Sequence, residues 1–353
     1  MLVGKNLREV FSKIRPDLIT LLTAISILAS LLSLSQAISF QVSVVDSINF
    51  IFWQSIIWFL FQFRNKIPWI LLLRGTAHGL TFSLIYHLFL DDYLSLLPFF
   101  SKFGQNGIAY IAIAFIPLAV YYYVVIKKRN FTFTVALFLF STALIGSRAG
   151  FFIVCLEVIL LYIMLNNRPS FWQFGVLFML LIGFWKMKAI FAPLLGLFNE
   201  DYALLLADDV AKTDTSALVR LAQIEKGFYA FMNRPLFGYG INSFKLIEFD
   251  YRSLSFEGSD LIKRSTKLDH FQAHNSYITL MVEMGGIITF IFLSVVVMSV
   301  RNTFRYLVYN RIFTFLLVGI LGSIIHLFFI DIILSNSFWF HLGVVFAISK
   351  LNL

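Results

Sequence analysis

Two side chains in this largely apolar sequence have the chemistry to handle a phosphate group and a hydroxyl. Arg148 lies at a tight turn between two apolar runs, and a planar guanidinium can bind phosphate oxygens in pairs. His274 lies just before another apolar run, where an imidazole could accept a proton from an attacking hydroxyl near neutral pH. Structural roles stay open for both residues, since Arg148 could anchor its turn at the lipid headgroups and a lone histidine at a helix start is more often structural.

A third candidate, Arg220, lies in a segment whose apolar residues recur with a helical period, residues 216–231. It could pair with a nearby carboxylate, which at a surface contributes little, or it could face a cavity. The predicted helix ends at Arg234-Pro235, because proline disfavours helical geometry in the residue before it.

Other polar residues lie in or beside the apolar runs. Asn275 is a good N-cap for the helix that follows, and Glu283 lies deeper in that helix, where an ionisable group usually faces the protein interior. Arg74 and His78 are spaced by four residues and share a helix face, which could line a cavity or contact a lipid-linked headgroup. Three further ionisable residues are expected to be isolated in their spans: Glu157, His326 and His341.

The composition indicates that the chain is folded in a bilayer. Of its 353 residues, 59% are hydrophobic and 13% are charged, about half the charged share of a soluble protein. The apolar runs are long and unbroken, which predicts an all-α, polytopic membrane protein. The formal charge of +9 lies in short clusters between these runs, as in cytoplasmic loops, so no nucleic-acid partner is expected. The lone Cys155 excludes an intrachain disulfide.

About ten transmembrane helices are predicted, with both termini in the cytoplasm, from the apolar runs and the positions of Lys and Arg. One large loop, residues 198–272, lies on the outer side between the seventh and eighth helices. It separates an N-terminal membrane part, residues 1–197, from a C-terminal one, residues 273–353. The helices are predicted at about 18–38, 45–63, 67–90, 108–126 and 131–146, from Gly150 to Arg168, from Phe171 to a point between Lys186 and Leu197, and at about 276–299, 312–330 and 337–349.

Three motifs follow one another in an order that resembles the O-antigen ligase and O-antigen polymerase superfamily. They are Ser147-Arg148-Ala149-Gly150 at the end of a span, Arg220 followed by RPLFGYGINSF from Arg234 to Phe244, and AHNSYITLMVEMGG from Ala273 to Gly286. The resemblance covers roughly residues 140–300 in order and spacing. Each motif is weak alone, and the ordered set is fairly specific.

The resemblance implies a glycosyltransferase of the GT-C type in the bacterial inner membrane. Such enzymes pass a glycan from an undecaprenyl diphosphate carrier to an acceptor hydroxyl on the periplasmic side, with inversion and without a metal or other cofactor. Carried over to this chain, the resemblance implies that Arg148 and Arg220 hold the diphosphate and that His274 orients or deprotonates the acceptor. Supporting roles fall to Arg234, Asn275, Arg74 and Glu283.

The leading hypothesis is a polymerase of O-antigen, capsule or exopolysaccharide repeat units, whose acceptor is another lipid-linked glycan. A ligase that delivers the chain to lipid A-core is the close second, and a protein O-oligosaccharyltransferase is third. The chain is somewhat short for a ligase, and the basic run at residues 263–267 leaves the acceptor open. A polysaccharide transporter would more typically show related halves and short loops, whereas here the polar groups concentrate in one outer loop.

Overall fold

The computed structural model describes residues 18–89, 105–145, 147–165, 213–254, 273–307, 310–329 and 336–348. All the long elements in these ranges are helices, which confirms the predicted all-α fold class. A π-helix, Tyr121–Ile126, extends the fourth of the ten α-helices in the described residues. They are α1 (Leu18–Ser35), α2 (Phe40–Gln62), α3 (Trp69–Phe89), α4 (Gln105–Val120), α5 (Phe131–Ile145), α6 (Arg148–Leu165), α7 (Thr213–Asn233), α8 (Ser276–Tyr306), α9 (Ile312–His326) and α10 (Asn336–Ile348).

The chain is a multi-pass membrane protein. Within the described residues, three stretches are long and apolar enough to cross a bilayer: Ser43–Gln62, Ile108–Ile126 and Ser276–Tyr306. Six shorter apolar helices coincide with other predicted spans. The predicted seventh span lies outside the described residues, as do residues 198–212 and 255–272 of the large loop, so the number of crossings and the sides of the termini stay predictions.

Helix α4 lies at the centre of the bundle, in contact with α3, α5, α6, α9 and α10. Its residues Ala112, Ile113 and Ala114 are completely buried. Small side chains along this helix let its neighbours approach closely, which is how helices pack in a membrane where no hydrophobic force drives them together.

The beginning of α4 contacts the beginning of α6 and the end of α9. A Cβ atom added to Gly150 of α6 would lie 2.5 Å from the Cβ atom of Ala109 in α4, so the glycine at this position serves helix packing. The next residue of α4, Tyr110, stacks its ring on His326 with the centroids 5.9 Å apart. These contacts place the starts of α4 and α6 and the end of α9 at one end of the bundle.

The start of α8 lies at the same end. The backbone N–H of Ser276 donates to the carbonyl of Leu327, directly after α9, at 2.9 Å. One turn lower, the Tyr277 hydroxyl donates to the carbonyl of Ile324 at 2.9 Å. Helices α4, α6 and α8 all begin at this end of the bundle. We call it the site end, because Arg148 begins α6 and His274 precedes α8.

The three ionisable residues expected to be isolated in their spans each lie in α9 or against it. The carboxyl group of Glu157, from α6, lies against Gly322, where a Cβ atom would clash with it. His341, from α10, places Nδ1 3.4 Å from the hydroxyl of Ser323. His326 is one turn beyond Gly322 on the same helix. Residues this far apart in sequence meet because small residues of α9 leave room for them.

Candidate functional site

Helix α7 packs on the first part of α8 through a small apolar cluster that is separate from the main core. Gly227 of α7 lies so close to Ile278 of α8 that any side chain at this position would clash. The buried members of the cluster come from α7, from the following loop and from the start of α8: Ala230, Phe244, Ile247, Ala273, Ile278 and Val282. The predicted amphipathic helix is therefore present, and its buried face is set against the segment that carries His274.

Arg220 lies on the face of α7 that turns toward this contact. It precedes the completely buried Gln223 by three residues and the buried Gly227 by seven, positions that share one helix face. The side chain is only partly exposed, and it forms no ion pair or hydrogen bond with the residues that the structure describes. The two alternatives left by the sequence, a pair with a carboxylate and a charge that faces a cavity, both stay predictions.

A kink in α8 receives the loop that follows α7. Gly285 interrupts the helix with φ 77° and ψ 178°, a conformation essentially limited to glycine. The backbone N–H groups of Tyr239 and Gly240 donate to the carbonyls of Val282 and Glu283, at 3.0 and 2.8 Å. The N–H of Gly286 donates to the Pro235 carbonyl at 2.7 Å. The second and third sequence motifs thus form one structural unit, in which the loop takes up hydrogen bonds that a regular helix would make internally.

The side chain of Glu283 holds the other end of this loop. Its carboxylate is 4% exposed and accepts hydrogen bonds from the backbone N–H groups of Asn242, at 2.8 Å, and Phe244, at 3.0 Å. Two backbone donors satisfy a buried carboxylate that would otherwise be costly. Glu283 faces the interior as predicted, and it acts on the loop rather than in an open cavity.

The loop is also held by the turn between α1 and α2 and by the first part of α2, where the sequence showed no motif. The Arg234 guanidinium lies 4.5 Å above the Tyr239 ring and donates to the Gln36 carbonyl at 2.9 Å. The Asn242 side-chain amide donates to a carboxylate oxygen of Asp46 at 2.9 Å. Arg234 is therefore placed to hold the loop in position, which fits the supporting role expected for it.

The segment before α8 fixes the backbone at His274. Asn275 is the N-cap: its side-chain oxygen accepts from the N–H groups of Tyr277 and Ile278 at 3.0 and 3.1 Å. This accounts for Asn275 fully, as the cap prediction states. His274 itself has a positive φ of 49°, which is uncommon for a residue other than glycine and is often found at functional sites.

Two effects lower the pKa of His274 from its usual value. Partial burial of the ring disfavours the charged imidazolium, and the positive charge of Arg220 disfavours it further. The second effect is consistent with the packing of α7 on the start of α8, since 54 positions separate Arg220 and His274 in the sequence. With its pKa lowered, the imidazole of His274 is neutral at pH 7 and able to accept a proton.

Of the two remaining sequence candidates, Arg148 lies at the site end and Arg74 does not. Arg148 begins α6 at the site end, where Ser147 caps the helix by accepting from the N–H of Gly150 at 3.3 Å; the Arg148 side chain lies outside the described part of the structure. Arg74 is exposed on α3, one turn before His78, whose Nδ1 lies 3.2 Å from the Tyr123 hydroxyl. Tyr123 lies in the π-helix that extends α4, 13 residues or about 20 Å from Tyr110 at the site end, so Arg74 is not brought to His274.

One buried cation near the site has no counterpart among the sequence candidates. Lys226 of α7 is completely buried, with its ammonium 5.3 Å from the centre of the Phe244 ring and 5.9 Å from that of Tyr251. A lysine inside an amphipathic helix looks solvent-exposed in a sequence, and only the fold of the following loop encloses it. Among the described residues, no group of three or more His, Cys, Asp or Glu could hold a metal ion.

Part of the chain is similar in sequence to a known protein family. Residues 133–293 match the family model Wzy_C, described as O-antigen ligase. This range begins with α5 and includes the start of α6, all of α7 and the kinked part of α8. No curated protein matches the chain at a significant level. The match confirms the family resemblance, and it coincides with the elements that carry Arg148, Arg220 and His274.

Proposed function

We propose that this chain, whose residues 133–293 are an O-antigen ligase family domain, transfers a glycan from undecaprenyl diphosphate to an acceptor hydroxyl at the site end. The family implies glycan transfer of the ligase or polymerase type by a membrane enzyme, with lipid-linked glycans as substrates. The reaction that we propose is a single displacement. The acceptor oxygen forms a bond to the anomeric carbon, the bond to the diphosphate breaks, and the anomeric configuration inverts.

Arg220 and Arg148 bind the diphosphate in this proposal. A departing diphosphate gains negative charge, which fixed guanidinium groups stabilise more strongly in the transition state than in the bound substrate. Arg220 supports the assignment because it faces the inner side of α7 and has no ion pair among the described residues. Arg148 supports it by position, since α6 begins at the site end.

His274 takes the proton of the acceptor hydroxyl. The base must be neutral before the reaction, and burial together with the charge of Arg220 lowers the His274 pKa in the required direction. The packing of α7 on the start of α8, with Gly227 against Ile278, is the single observation that carries the proposal, because Arg220 belongs to α7 and His274 directly precedes α8. As the diphosphate binds, its negative charge offsets that of Arg220 and makes His274 a stronger base.

We favour polymerisation of repeat units over ligation to lipid A-core. In the decisive experiment, the purified protein is incubated with a lipid-linked single repeat unit and with no other acceptor. A polymerase converts this substrate into a ladder of longer lipid-linked products and releases undecaprenyl diphosphate. A ligase gives product only after lipid A-core is added, and a transporter gives none under either condition, which would refute the enzyme proposal.

The pKa of His274 also predicts how its reactivity depends on pH. In the wild-type protein, we expect the neutral imidazole to predominate down to a pH below about 6.5, the usual histidine pKa. In Arg220→Gln the neighbouring charge is removed, so the His274 pKa rises and protonation begins at a higher pH. The measurement is the rate at which diethyl pyrocarbonate modifies His274, followed by peptide mass spectrometry across the pH range.

Arg252→Gln is the matched control for this measurement, because Arg252 is exposed on the loop after α7 and does not influence His274. The control should titrate as the wild type does. Identical midpoints in the wild type and in Arg220→Gln would show that Arg220 does not act on His274.

A further inference from the structure

A groove of about 720 Å³ runs along α8 on the side that faces the end of α9. At the site end it is bounded by Tyr277 and Phe328, and toward the other end by Val297, Val300 and Phe304. Val297 and Phe304 are 63% and 66% exposed, so the groove opens to the surroundings of the bundle. Its size is within the range of about 300–1,000 Å³ that small-molecule sites occupy. We call it the α8 groove.

Two arginines line the α8 groove at the end away from His274. Arg301 and Arg305 are both exposed and are spaced by four residues, so they share one face of α8. Neither guanidinium forms a hydrogen bond or an ion pair with any residue that the structure describes. Two adjacent guanidinium groups without a carboxylate form a site for an anion, and a phosphate is the group that they bind in pairs.

The distance along α8 separates this pair of arginines from the proposed reaction centre. Beyond the kink at Gly285, the second part of α8 runs 19 residues from Gly286 to Arg305, which corresponds to about 28 Å of helix. The hydrocarbon core of a bilayer is about 30 Å thick. This part of α8 is thus nearly long enough to cross the core, and basic residues collect on the cytoplasmic side of a membrane. We therefore place Arg301 and Arg305 at the surface opposite to the one predicted for His274, so that a phosphate bound there is distinct from the diphosphate that reacts.

We propose that the α8 groove binds an anionic phospholipid from the leaflet opposite to His274. Its phosphate contacts Arg301 and Arg305, and an acyl chain lies against Leu293, Val297 and Val300. Among the described residues that line the groove, Arg301 and Arg305 are the only charged ones, and both are positive, so the occupant must be anionic. It must be a lipid because the rest of the groove is apolar and open to the bilayer. Basic pockets beside transmembrane helices bind acidic lipids in this way.

Such a lipid would hold the inner parts of α8 and α9 in place without taking part in the reaction. Tyr277 and Ile324, which line the groove at the site end, also make the hydrogen bond that joins α8 to α9. A ligand that binds only the folded form raises the stability of that form in proportion to its occupancy. The proposal thus assigns the groove to a structural lipid.

The test compares two lipids that differ only in charge. The full-length protein in a neutral detergent is given equal amounts of phosphatidylglycerol and phosphatidylcholine with identical acyl chains, and bound lipid is counted by native mass spectrometry. We expect phosphatidylglycerol to be retained at about tenfold lower concentration and to raise Tm, whereas phosphatidylcholine does neither. Equal retention of the two lipids by the wild-type protein would overturn the proposal without any variant.

Variants then locate the bound lipid. R301Q/R305Q should lose the preference for phosphatidylglycerol, whereas R129Q/R311Q, which removes two exposed arginines outside the groove, should keep it. Val297→Trp fills the groove and keeps both charges, and should weaken binding of phosphatidylglycerol even if R301Q/R305Q does not fold. Retention that depends on Arg220 instead of Arg301 and Arg305 would show that the groove serves a lipid whose phosphate lies at the other surface, and would refute the assignment.

Discussion

Replacing His274 with asparagine is expected to lower the rate of glycan transfer by at least about a hundredfold without reducing the stability of the protein. Asparagine adopts a positive φ more readily than most residues, so the backbone at this position, with φ 49°, can be kept. What is lost is a base that can take the acceptor proton. The measurement is the rate of ladder formation from the lipid-linked repeat unit, together with Tm in the same detergent.

Arg220→Gln is expected to have a comparable effect for a different reason. One fixed donor to a developing charge contributes roughly 10²–10³ in rate, and glutamine keeps a polar side chain of similar length without the positive charge. Arg252→Gln and His78→Ala are the matched controls, since both residues are exposed and lie away from His274. Glycan synthesis at near-wild-type rates in both His274→Asn and Arg220→Gln would remove the proposed mechanism.

The parts of the fold that the sequence predicts are those governed by local patterns. Nine of the ten predicted spans coincide with helices in the described residues, because a run of apolar residues and its flanking charges determine where a membrane helix begins and ends. The amphipathic α7 follows from its helical period in the same way, and its predicted end at Arg234-Pro235 is observed within a residue. Asn275 caps α8 as its residue type suggests.

The parts that the sequence does not predict depend on contacts between distant segments. The span at 276–299 was predicted as one regular helix, yet α8 is kinked at Gly285. The Gly285-Gly286 pair is the local signal for a kink, but only the docked loop shows why the kink is there. In the same way, the contacts of Glu157 and His341 with α9 cannot be predicted from their own spans, because the small residues that leave room for them belong to another helix.

In the candidate site, too, some features follow from local patterns and others depend on contacts between distant segments. Residue type and helical period mark Arg220 and His274 as candidates, and the family resemblance implies their roles. The electrostatic effect of Arg220 on His274 is not in any local pattern, because it arises from the packing of α7 on α8. Asp46 and Gln36, which hold the loop from the α1–α2 side, belong to spans that resemble the family only in being apolar.

If the docked loop is what positions α7 on α8, then Gly285→Ala should reduce glycan transfer at least tenfold although residue 285 touches no substrate. The backbone conformation at Gly285 is strained for any residue with a side chain, by about 1–3 kcal/mol. A Cβ atom would also clash with the backbone of Leu236, so the loop would have to move away. Displacing it would release Tyr239 and Gly240 from α8 and loosen the contact that holds Arg220 near His274.

The matched control is Gly79→Ala in α3, where a Cβ atom would meet no other atom within 4 Å. Alanine favours a helix over glycine by about 1 kcal/mol, so this variant should keep full activity and gain slightly in Tm.

Glu283→Gln tests the same docking of the loop on α8, through the side chain that holds the loop. In this variant the side-chain NH₂ group faces one of the two backbone N–H groups that now donate to the carboxylate. That N–H loses its acceptor, at a cost of about 1–3 kcal/mol. Both docking variants should therefore lower Tm and activity together, which separates them from His274→Asn, where activity falls and Tm does not. A Gly285→Ala protein with wild-type Tm and wild-type transfer would show that the kink does not position the site.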